Sequence, residues 1–124
     1  ILLCGHMDTV FGKTHAFQTL TQLTPNILQG PGVADMKGGL VVMLYALKAF
    51  EQLPFAHTLG WDVVINADEE IGSTNSISFI EKIAPHYKAG FVYEPALTPE
   101  GLFAKNRKGS GKFTIIAFGK SAHV

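Results

Sequence analysis

His6 and six carboxylates hold most of the reactive chemistry in this sequence. Asp8, Asp35, Asp68, Glu69, Glu70 and Glu94 account for six of the ten acidic residues. Each stands just past an apolar run or where a helical pattern opens. His6-Met7-Asp8 follows the first run, Asp68-Glu69-Glu70 the second and Glu94 the third, while Asp35 opens the longest helix. One imidazole and several carboxylates on a shared rim repel unless something cationic sits among them. A metal, and by charge a pair, is the simplest resolution. Histidine nitrogen combined with carboxylate oxygen suits zinc, and a lone cysteine argues against a structural thiolate site. Asp35, Glu70 and Glu94 with a bridging hydroxide would balance two zinc ions. Such a pair can acidify a bound water and polarise a carbonyl. Glu69 and Glu70, adjacent at a turn, can point differently, one to metal and one to the water to be deprotonated.

Those residues need a rim, and the periodicity supplies one. Residues 1–4, 61–66 and 89–93 read as buried or β-rich strands. Residues 36–53 read as a helix, with Leu40, Leu44 and Leu47 on one face and Met43 and Phe50 beside it. Val41, Val42 and Tyr45 make it apolar nearly all round, which predicts a helix buried between layers. Residues 75–84 form a shorter amphipathic helix stopped by Pro85. Residues 11–26 read as a loop with a weak edge strand, and 27–29 as a short strand broken by Gly30-Pro31-Gly32. This alternation predicts an α/β fold with a mostly parallel sheet flanked by helices, its ligands at the carboxyl ends of the strands. After residue 95 the style changes, and residues 101–105 and 112–118 suggest a hairpin. The basic stretch 105–108 reads as a solvated turn between domains.

Composition narrows the function classes. The chain has 124 residues, 10 basic and 10 acidic, with 47% hydrophobic and 16% charged. That length holds one ordinary domain. A net charge of zero argues against nucleic acid or an anionic membrane surface as partner. No apolar run approaches the roughly 20 residues of a membrane-spanning helix. One cysteine forms no internal disulfide. Charged residues fall below the usual quarter of a soluble domain. The abrupt apolar start at Ile1 and the stop at Val124 read as cuts, so the chain is expected to be an internal fragment. Its compartment, cytoplasmic or periplasmic and secreted, is left open.

Five segments carry a family likeness: GHMDTV (5–10), GPGVADMKGG (30–39), NADEEIGS (66–73), YEP (93–95) and GKSAHV (119–124). In this order they resemble the signatures of the M-twenty zinc peptidases, the group of glutamate carboxypeptidases, aminoacylases and succinyl-diaminopimelate desuccinylases. The ADEE variant followed by YEP is most similar to the bacterial glutamate carboxypeptidase branch. The resemblance implies that 1–109 is a catalytic domain and that 110–124 begins a lid and dimerisation domain, both partial. It implies two Zn2+ ions, with Co2+ or Mn2+ as substitutes. His6 and Glu94 would hold one ion, Glu70 the other, and Asp35 would bridge both. Glu69 would be the general base, and Asp8 would fix the His6 tautomer. The peptide after Asp35 would be cis. His123 would reach a partner subunit's active site and steady the oxyanion. A distal family histidine completing the Glu70 zinc has no counterpart here, so the isolated chain is expected to be inactive.

The implied activity is hydrolysis of an amide or peptide bond next to an amino acid by a dizinc-bound hydroxide. Small peptides or N-acyl amino acids would be substrates, and the whole protein would be a homodimer. An aminoacylase or desuccinylase activity, or a binding relative without turnover, are the alternatives. Plainer readings stand beside these roles. Asp35 could cap its helix, although Gly38 and Gly39 in the first turn suit a crowded backbone better. Glu94 could be an ordinary loop acid, Asp68 a polar residue at a strand end, and His15, His57 and His86 surface residues. Rival chemistries fit poorly. Cys4, His6 and Asp8 share a strand face, but positions two apart lie ~6.6 Å apart along a strand, so Cys4 reads as core. Gly12-Lys13-Thr14 lacks the first glycine of a P-loop, and Asp35 stands where a dinucleotide fingerprint needs its third glycine.

Overall fold

Strand β1, Leu2–His6, is the centre of a three-stranded parallel sheet. Its neighbours are β4, Asp62–Asn66, and β5, Gly90–Val92, giving the order β4-β1-β5. The computed structural model of the chain describes residues 1–102, 106, 108–109, 111 and 113–120. Register runs from Leu2 opposite Asp62 and Gly90 to His6 opposite Asn66. A central strand is covered on both edges, which explains why Leu2 and Leu3 are buried and why the sequence there is apolar. Because the strands are parallel, their carboxyl ends lie together. His6 leaves β1, the Asp68–Glu70 run follows β4 and Glu94 follows β5 at that one rim. The expected α/β architecture is therefore the one observed, and β1 extends two residues further than predicted, through His6.

Strands β2, Thr21–Thr24, and β3, Ile27–Gln29, form a separate antiparallel hairpin, all of it exposed. After Gly32, which takes a left-handed backbone, residues Val33–Lys37 make a tight turn closed by the Lys37 N–H on the Gly32 carbonyl, 2.8 Å. The Asp35–Met36 peptide is cis, as the resemblance implied. Helix α1, Gly38–Phe50, then packs against β1. Met36 and Met43 are buried, while Leu40, Leu47 and Phe50 on the same face are half-buried.

The expectation of a helix buried all round is corrected. Val41, Val42, Leu44 and Tyr45 are exposed, because a three-stranded sheet covers only one side of α1 among the described residues. Helix α2, Ile77–Ile83, ends before Pro85 as expected, and one 3-10 turn, Ala84–His86, follows it. The hairpin expected after residue 100 falls only partly within the described residues. Among the described residues, 113–120 form no strand, and Phe113, Ile115, Ile116 and Phe118 lie open to solvent. A strand needs a hydrogen-bonded edge, and residues 103–105 and 112 of that hairpin lie outside the described residues.

Candidate metal centre

His6 is where the rim converges. Its side chain is 1% exposed, and each ring nitrogen faces oxygen. Nδ1 lies 3.2 Å from the Asp8 carbonyl and 3.3 Å from Asp8 Oδ1. Nε2 lies 3.1 Å from Asp35 Oδ1, 3.8 Å from Glu69 Oε2 and 3.9 Å from Glu94 Oε1. If Nδ1 carries the proton and donates it to Asp8, the Nε2 lone pair is free to bind a cation on the carboxylate side. Burial alone pulls the His6 pKa down. The Asp35 hydrogen bond, the Glu94 charge, the Asp8 carbonyl and the Glu69 charge outweigh it, and the net direction is up. Glu94 is pushed up by burial first and by the Asp35 charge next, against a smaller downward pull from His6.

Apart from burial, both shifts reflect the carboxylates crowded around one imidazole. The donor atoms of His6, Asp35 and Glu70 lie within 4.8 Å of one another. One nitrogen and several hard oxygens around so small a space fit a divalent cation. Glu69 and Glu94 stand at nearly equal distances from Nε2, so the site comprises one imidazole and four carboxylates.

Backbone geometry explains how the sequence builds this cluster. Asp8, with its side chain 18% exposed, accepts the N–H groups of Glu69 at 3.3 Å and Glu70 at 2.9 Å. One carboxylate thus holds the His6 ring and the backbone that presents both glutamates. The Lys37 ammonium donates to the Met7 carbonyl at 3.2 Å, tying the Asp35 turn to the exit of β1. Gly39 lets α1 approach β5's exit, where a Cβ would overlap the carbonyl oxygen of Tyr93, the residue before Glu94. A glycine there is therefore a packing requirement, which supports reading the Gly38-Gly39 pair as crowded.

Two contributors went unread in the sequence. Asp68, expected to be merely polar, is a buried carboxylate with four hydrogen bonds to Asn66, Asn75 and Ser76. The Ser76 hydroxyl does most to hold its carboxyl below the usual range, helped by the two backbone N–H groups and Asn66 against an opposing effect of burial. The visible signal was an Asn-Ser pair just before a helix, a place where polar groups collect. Lys37 offered no comparable signal.

The other expectations resolve simply. His15, His57 and His86 are exposed, and Cys4 is a half-buried free thiol whose pKa burial raises. His123 lies outside the described residues.

A family model described as Peptidase family M20/M25/M40 matches residues 2–109. The chain belongs to the M20 peptidase family. Among curated M20 relatives, it is 29% identical to carboxypeptidase G2 of Pseudomonas sp. (strain RS-16), over the whole chain and 30% of that protein. It is 32% identical to succinyl-diaminopimelate desuccinylase of Ruthia magnifica subsp. Calyptogena magnifica, over 99% of the chain and 35% of that protein. The desuccinylase of Blochmanniella floridana is also 32% identical, over the whole chain and 35% of its own length. The chain thus spans about a third of the curated relatives it matches. No solved structure matches it. His6, Asp8, Asp35, Glu69, Glu70 and Glu94 all fall inside the M20 match.

Proposed function

We propose that the protein containing this chain is a metal-dependent hydrolase that cleaves an amide or peptide bond next to an amino acid. The observation that carries this reading is the grouping of His6, Asp35 and Glu70 donors within 4.8 Å, with the Glu69 carboxylate 3.8 Å from the same imidazole nitrogen. Zinc suits the donor set best, with Co2+ or Mn2+ as substitutes. In this reading His6 and Glu94 would hold one ion and Glu70 a second, with Asp35 shared between the two. Bound metal supplies Lewis-acid polarisation of the substrate carbonyl and lowers the pKa of water.

The chain's own residues do the rest. Asp8 fixes the ring of His6 and the backbone of both glutamates. Glu69, with a side chain 45% exposed, takes the proton of the attacking water and returns it to the leaving nitrogen. His123, from a lid domain beginning near residue 110, steadies the oxyanion in a partner subunit, which makes the whole protein a homodimer. Substrates are small peptides or N-acyl amino acids. Deacylation is the second reading, favoured by relatives that are named desuccinylases.

Glu69→Ala in the full-length protein tests the assignment. Turnover should fall by about 10²–10⁴-fold with metal content unchanged. Turnover equal to the parent's would remove Glu69 from the role of base.

A further inference from the structure

The segment that follows β4 carries the proposed base and one proposed ligand, and it is fastened at both ends. In front, Asp8 takes the N–H groups of Glu69 and Glu70. Behind, the buried Asp68 carboxylate takes the N–H of Asn75 at 2.7 Å and of Ser76 at 3.0 Å on one oxygen. Its other oxygen takes the Ser76 hydroxyl at 2.6 Å and the Asn66 amide at 3.2 Å. The Ser73 N–H closes onto the Asp68 carbonyl at 2.6 Å, and Gly72 onto that of Glu69 at 2.8 Å. Between the clamps the backbone turns through positive φ at Gly72 and Ser73. A non-glycine residue in that region is costly and persists only where its surroundings hold it.

We infer that Asp68 is a positioning residue: by anchoring Asn75 and Ser76 it sets the backbone from which Glu69 and Glu70 project. The inference rests on the roles proposed above for those two glutamates. A helix cap alone would need one or two of these bonds, whereas Asp68 spends both oxygens on four donors. Glu69 is nearly half exposed, and beyond its approach to His6 at 3.8 Å no ion pair or side-chain hydrogen bond holds its carboxylate among the described residues. Its direction therefore follows the backbone, and the backbone follows the two aspartates.

The test compares the full-length parent with Asp68→Asn and Ser76→Ala, each loaded with Co2+. Measurements are made at a temperature where circular dichroism shows all three folded. Asp68→Asn keeps the size but swaps one acceptor oxygen for a donor. Its kcat should fall about ten- to hundredfold with KM within threefold, the range typical of outer partners of metal sites. The visible cobalt bands should shift as Glu70 reorients. Ser76→Ala, which removes one of the four bonds to Asp68 and the Asn66 amide's bond to the Ser76 hydroxyl, should shift the bands in the same direction by less. A purely structural role would lower the melting temperature while leaving kcat and the bands of the folded protein unchanged, and that result overturns the inference. If Asp68→Asn does not fold, Ser76→Ala decides by its bands. If the parent hydrolyses no amide, the proposed function fails, and the cobalt bands alone decide the positioning role.

Discussion

Asp8 accepts the backbone N–H of Glu70 at 2.9 Å across 62 residues of sequence, while its other oxygen lies 3.3 Å from the His6 ring. A single carboxylate therefore couples the exit of β1 to the exit of β4, and the imidazole of the site to both adjacent glutamates.

This coupling gives the first prediction. Asp8→Ala should weaken zinc binding by the full-length protein about ten- to hundredfold, the usual cost of losing a carboxylate behind a metal-bound histidine. Competition against a chromogenic chelator measures it. Affinity equal to the parent's would mean that Asp8 serves the backbone alone.

Close approach of α1 to the exit of β5 gives the second. Gly39→Ala places a Cβ on the Tyr93 carbonyl oxygen, so strand or helix must move. Overpacking of this kind costs about 1–3 kcal/mol, read by urea denaturation, and displacement of Glu94 should lower zinc affinity as well. Gly12→Ala is the control. A Cβ there meets nothing within 4 Å, and its effect should stay within about 0.5 kcal/mol.

Acid stability gives the third. The Asp68 carboxyl lies below its ordinary value, chiefly through the Ser76 hydroxyl. A depressed folded-state pKa adds stability above the unfolded-state pKa and loses it as pH falls through the folded value. Asp68→Asn should therefore be less stable than the parent at neutral pH, and the gap should close as pH drops below the ordinary carboxylate range. Thermal melts across pH 2–7, roughly the span over which carboxylates titrate, measure this. A gap independent of pH would show that the charge of Asp68 contributes nothing.

The parallel sheet and the rim were legible because both depend on sequence patterns that survive without tertiary detail. Apolar runs ended at Gly5, Asn66 and Tyr93, and the acids clustered just beyond them. Local chemistry likewise marked the turn before α1, with Gly32 at positive φ and the Gly38-Gly39 pair. Burial was less legible. The all-round apolar character of α1 predicted two covering layers, yet Leu44 and Tyr45 face solvent, because composition reports what a helix can bury and the neighbouring elements decide what it does. The role of Asp68 was missed for the opposite reason. A buried carboxylate looks like any polar residue until the four donors that surround it are known. Segment 113–120 had strand-like composition, but pairing belongs to two segments at once, and residues 103–105 of the other arm lie outside the described residues.

The central claim is that His6, Asp35, Glu70 and Glu94 hold metal for amide hydrolysis. The most direct test follows the full-length protein acting on a panel of dipeptides and N-acyl amino acids before chelation, after it, and after zinc is restored. Bound divalent metal, loss of turnover with the chelator and recovery with zinc are the expected results. A protein that holds only traces of metal, with hydrolysis indifferent to both chelator and zinc, would contradict it.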